Sequence, residues 1–126
     1  MYHYTESGLN NVYLKSGLTK EEIDGETYTT INDMNGLHKA IAQIIVDSRQ
    51  PLNSQEFKFL RIELNLSQKV LANRFGVTDQ TIAHYEKGQS DIPRTTDAAL
   101  RTLYMESIEK NNPVSYFFEL LYDVDA

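Results

Sequence analysis

Asp79, Gln80, Thr81, His84 and Lys87 fall on the outer side of a short segment running from Thr78 to Lys87. Carboxylate, amide, hydroxyl, imidazole and ammonium groups are gathered there in one strip of donors and acceptors. On a short protruding helix, such a strip suits the hydrogen-bonding edges of bases in a DNA major groove. Other chemistries are poorly served. The chain has no cysteine, so it can build no disulfide framework, zinc finger or thiol nucleophile. Its three histidines, His3, His38 and His84, are scattered. No carboxylate pair, Ser/His/Asp order, glycine-rich phosphate loop or metal-ligand spacing is present. No enzyme activity, cofactor or metal is therefore expected.

The elements that must hold this strip are legible around it. Asn53 or Ser54 can cap a helix with Glu56 in its first turn and Phe57, Leu60 and Leu64 as its core face. Ser67 caps the next, with Val70, Leu71 and Phe75 inward and Gly76 ending it. Thr78 caps the segment that carries the strip, and Gly88 closes it. The linking residues, Phe75-Gly76-Val77-Thr78, have the size of a helix-turn-helix turn. Val77 and Ile82 are placed to plug the junction, and Ala72 is small enough for a close helix crossing. Pro93 suits the first turn of a helix from about Arg94 to Glu109, with Leu100, Leu103 and Ile108 as its apolar side.

The flanks differ. Asn11–Leu14 and Glu26–Ile31 read as strands of a small antiparallel sheet, with Asp24-Gly25 as a tight turn. Asp33 then caps a helix with Leu37, Ile41, Ile44 and Ile45 on one face, and Arg49-Gln50-Pro51 breaks it. Pro113 opens a last helix carrying Val114, Phe117, Phe118 and Leu121. The chain divides into a β-hairpin-plus-helix module (1–50), a helix-turn-helix domain (51–110) and a C-terminal helix (111–126). The expected class is mainly α: a five-helix domain with a small N-terminal antiparallel β segment plus helix, and the C-terminal helix.

The run Leu66-Ser67-Gln68-x-x-Leu71-Ala72-x-x-Phe75-Gly76-Val77-x-x-x-Thr81-Ile82-x-x-Tyr85-Glu86-x-Gly88-x-x-x-Ile92-Pro93 resembles the DNA-binding domain of lambda-repressor/Cro-like regulators, the xenobiotic-response-element type. The resemblance extends from Asn53 to Tyr104. It implies a phosphate contact and a steadying role for Gln68. It puts Asp79, Gln80, Thr81 and His84 at base edges, and Lys87, Gln89 and Ser90 near the DNA backbone. Arg94 would approach phosphates or a narrow minor groove. Arg61 and Glu86 fall where some members have a structural ion pair, and the Tyr85 ring is expected to pack inward. Asp79 departs from the commoner glutamine or asparagine. Its carboxylate can accept from cytosine N4 or stay at the helix N-terminus as a dipole partner.

The first residues, Tyr2-x-Tyr4-Thr5-x-x-Gly8-Leu9-x-x-Val12-x-Leu14 followed by Gly36-Leu37-His38, resemble N-terminal modules of antitoxin-like bacterial regulators. Some relatives hold zinc there. This chain has no cysteine for it, so its module must rest on an apolar core, with His38 as a packed or capping side chain.

Charge bears on partners. The net charge of −6 argues at first sight against nucleic acid. Its distribution says otherwise: residues 1–50 are net −3, 51–94 net +1 and 95–126 net −4. The acidic ends suit protein partners, a basic toxin among them, while the middle segment can meet double-stranded DNA. The apolar stripe of the last helix predicts a homodimer seam within residues 95–124, and the helix at 33–47 is a second candidate. No apolar run approaches the roughly 18 residues of a membrane span. The N-terminus lacks a signal-peptide pattern, so a cytoplasmic setting is expected. The expected function is a sequence-specific transcriptional regulator, a repressor acting as a homodimer on a palindromic operator. The alternative is an antitoxin that also regulates its own operon.

Overall fold

The computed structural model describes residues 1–110, which form five helices and two pairs of antiparallel strands. The C-terminal helix and most of the aromatic seam expected from the sequence lie outside the described residues.

Asp33 caps α1 (Met34–Asp47) by accepting the Gly36 N–H at 2.9 Å. Gly36 is needed for that approach, since a Cβ there would stand 2.3 Å from the Asp33 carboxylate. Asn53 caps α2 (Ser54–Glu63) in a full capping box with Glu56, which leaves neither first-turn donor unpaired. Ser67 caps α3 (Gln68–Phe75), and Gly76 ends it in the left-handed region at φ 69°. Thr78 caps α4 (Asp79–Glu86), and α5 (Arg94–Lys110) follows Pro93.

The core is one cluster built from both halves of the chain. Phe57, Leu60, Leu71, Ile82 and Leu100 are fully buried where α2 to α5 meet. Tyr4 and Leu9 of the first loop, with Ile41, Ala42 and Ile45 of α1, continue the same cluster across α2 and α5. Phe59 completes the join, buried on the opposite side of α2 from Phe57 and beside the His38 ring. The expected core face of α2 named Phe57, Leu60 and Leu64 and omitted Phe59. A helix packed on two sides buries more than one stripe.

Three expectations need correction. The single sheet is two separate strand pairs. β1 (Tyr2–His3) pairs with β2 (Tyr13–Leu14), while β3 (Leu18–Ile23) pairs with β4 (Glu26–Ile31) around Asp24-Gly25. The strand β3, too charged to read as one, is formed by its pairing with β4. Ile44 is 73% exposed, because α1 turns His38, Ile41, Ala42 and Ile45 inward and leaves Ile44 well around the helix. Val70 is exposed as well; Leu71 and Ala72 fill the α3 junction in its place.

Two polar joints fasten α1 to the helices after it. Tyr4 Oη lies 2.7 Å from His38 Nε2 and 3.0 Å from Met34 Sδ, and His38 Nδ1 contacts Glu63 Oε1. A carboxylate only accepts, so Nδ1 carries the proton and Nε2 is left to the Tyr4 hydroxyl. His38 is thus a packed linking residue, as its position suggested. At the other end of α1, Arg101 Nη1 donates to the carbonyls of Ile45 and Val46 at 3.2 Å and of Ser48 at 2.5 Å. Its Nη2 donates to Gln50 O at 2.6 Å and its Nε to Asp97 Oδ1 at 2.6 Å. Asp97 Oδ2 in turn accepts the Leu52 N–H at 2.7 Å. One guanidinium therefore caps the C-terminus of α1, where the helix leaves its last carbonyls unpaired.

Candidate nucleic-acid interface

The interface begins with what holds α3 and α4 at a fixed angle. Gly76 reverses the chain, and its neighbour Val77 N–H bonds back to Ala72 O at 3.0 Å. Ile82 is fully buried and Val77 half-buried at the junction, as their positions predicted. Tyr85 packs edge-on against Phe57, ring centres 5.7 Å apart, which seats α4 on α2. Beneath them Arg61 Nε and Nη2 donate to Glu86 Oε2 and Oε1 at 2.6 and 2.9 Å, and Arg61 Nη1 reaches Leu66 O at 3.0 Å. The expected ion pair is present, and it is largely buried: the Glu86 side chain is 3% exposed.

With its inner face so committed, α4 turns its polar strip outward. Asp79 and Gln80 are exposed at its N-terminus, Thr81 and His84 are half-buried along one side, and Lys87 is exposed at the C-cap. Gln89 and Ser90 are exposed in the turn beyond, where Gln89 N–H donates to His84 O at 2.9 Å. These seven residues form a continuous stretch of helix and turn. No bond within the described residues engages the side chains of Gln80, His84, Lys87, Gln89 or Ser90.

Other predicted contacts are partly engaged. The Asp79 carboxylate accepts the Gln80 N–H at 2.9 Å, so it already serves the helix N-terminus. Thr81 Oγ1 lies 2.9 Å from Thr78 Oγ1, within the cap. Gln68 Nε2 donates to Glu86 Oε1 at 3.0 Å, which ties the first residue of α3 to the ion pair. An amide nitrogen has a second hydrogen, which no bond within the described residues uses. Arg94 is exposed at the start of α5. It shares a shallow groove with Arg49, Gln50 and Arg101. In the sequence Arg49 marks only a helix break, with Gln50 and Pro51. Its place beside Arg94 comes from the packing of α1 on α5, which no local motif announces.

Residues 57–99 match the family model described as Helix-turn-helix. The segment is a helix-turn-helix domain of the lambda-repressor/Cro-like kind, a class that binds DNA and regulates transcription. No curated protein and no solved structure matches the chain. Among the described residues no helix is long and apolar enough to cross a membrane.

Proposed function

We propose that the protein is a sequence-specific transcriptional repressor that acts in the cytoplasm and binds a palindromic operator as a homodimer. Each α4 enters a major groove of one half-site, the two half-sites lying about one helical turn apart. Gln80, Thr81 and His84 read base edges, and Asp79 contributes where a cytosine N4 faces it. Gln68, Lys87, Gln89, Ser90 and Arg94 hold the phosphates. The observation that carries this reading is the outward face of α4: its polar side chains are presented on a helix locked by buried contacts, and most have no partner within the described residues.

Selection of bound sequences from a random DNA pool tests it. An enriched inverted repeat is the expected result, and Gln80→Ala with Thr81→Ala should erase the enrichment. Binding that is indifferent to sequence would overturn the reading.

The β3–β4 tip favours a second role. Glu21, Glu22, Asp24 and Glu26 crowd there, all exposed, beside the half-exposed Ile23 and Tyr28. A basic protein surface is the complementary partner, as an antitoxin would require. Co-purification of a small basic protein encoded beside this chain supports that role. Loss of the complex on replacing the four carboxylates by amides would locate it.

A further inference from the structure

We infer that the outer edge of β4 is an interface between two copies of this chain, pairing antiparallel with the β4 edge of the second copy. The inference deepens the two-copy reading above and rests on it.

The β3–β4 hairpin projects. Only Leu18, Thr29 and Ile31 are half-buried in it, and no helix of the described residues lies along either strand. Its backbone phase is set at the base, where Asn32 N–H donates to Gly17 O at 2.9 Å. Antiparallel pairs alternate between bonded and non-bonded. With the observed register, the bonded pairs are then Thr19/Thr30, Glu21/Tyr28 and Ile23/Glu26. Thr27, Thr29 and Ile31 on β4 therefore turn their N–H and C=O groups outward, as do Leu18, Lys20 and Glu22 on β3.

The two edges are not equivalent. From Thr27 to Ile31 the β4 edge has no proline, no lysine, no bulge and no charge, and its residues favour strands. The β3 edge is protected. The two-fold registers that overlap most of it set Lys20 against Lys20, or Glu21 against Glu21 with Lys20 facing Glu22 on either side, so each brings like charges directly opposite at its centre. Pairing β3 of one copy on β4 of another would leave free edges and build an open chain. β4 on β4 closes the assembly with no charged residue opposite another.

One register pairs all three outward residues. Thr29 stands opposite Thr29 of the second copy, Thr27 opposite its Ile31, and Tyr28 opposite its Thr30. Antiparallel pairing also sends the two acidic tips to opposite ends of the four-stranded sheet, about 20 Å apart at the usual rise per residue. Tyr28, 50% exposed in the single chain, gains a cross-strand neighbour.

Sedimentation equilibrium on the full chain, at several concentrations, tests this. The wild type should reach twice its 14.5 kDa. Thr29→Pro removes an outward N–H that the hairpin itself does not use, and Thr27→Lys places a cation on the edge. Each should raise the dimer dissociation constant on the order of tenfold or more, with circular dichroism unchanged. Lys20→Thr, on the β3 edge, should leave it unchanged. Should Thr29→Pro disturb the hairpin, Thr27→Lys decides alone. A wild-type dimer that Thr27→Lys does not weaken would overturn the β4 interface and leave the two-copy reading standing. A wild type that stays monomeric at every concentration would overturn both.

Discussion

Arg61 forks onto Glu86 with two bonds, 2.6 and 2.9 Å, under the helix that presents the candidate base-reading strip. Gln68 adds a third bond to the same carboxylate. The pair joins α2 to α4 and leaves Glu86 almost wholly out of water. Arg61→Ala should therefore strand a buried charge and destabilise the fold by about 3–5 kcal/mol. Arg61→Lys should also be costly, since an ammonium cannot make the fork. Urea denaturation measures both, and an unchanged midpoint for Arg61→Ala would refute the account.

Arg101 holds four carbonyls around the end of α1. Arg101→Met keeps much of the stem and removes every one of those bonds. We expect a loss of about 2–4 kcal/mol, since several carbonyls lose a charged donor together. Amide hydrogen exchange should then speed up most in the last turn of α1 and in residues 48–52, while α3 and α4 keep their protection. A uniform change across the chain would argue against a local joint.

Lys87 and Arg94 are exposed cations at the expected DNA edge. Each single change to alanine should reduce the slope of log affinity against log salt by about 1. Sequence preference should survive, because phosphate contacts carry no base information. Arg49→Ala tests whether the groove beside Arg94 also meets DNA. Fluorescence anisotropy across a salt series reads all three.

Burial raises the hydroxyl pKa of Tyr4, with Glu6, Glu63 and Tyr2 adding to it, and burial beside Glu63 raises that of Tyr104. The folded chain thus holds these protons more tightly than the unfolded one. Their contribution to stability is fully present below the ordinary tyrosine value of about 10 and is lost as pH rises through the higher folded values. The melting temperature should fall above about pH 10. Tyr104→Phe should lessen that fall without altering the slope below it. Thermal melts from neutral to alkaline pH decide this, and an alkaline limb of the same steepness in Tyr104→Phe would contradict it.

Much of the helix-turn-helix could be read directly. Ser67, Thr78, Gly76 and Gly88 mark helix ends through their own side chains or their own φ, so a few neighbouring residues decide the outcome. Ile82, Ala72 and Tyr85 were legible for the same reason: spacing within one short motif sets which way they face. Tertiary structure decided the remainder, because those contacts join residues far apart in the chain. Phe59 is core because α1 covers a second side of α2, and Ile44 is exposed because that same packing sets the rotation of α1. Glu63, His38 and Tyr4 meet across 59 positions of sequence, and Arg101 reaches back to carbonyls whose need for a donor no side-chain pattern records. Local chemistry determined which face of α4 is polar. Only the packing of distant segments determined how firmly that face is held, and that Arg49 stands beside Arg94.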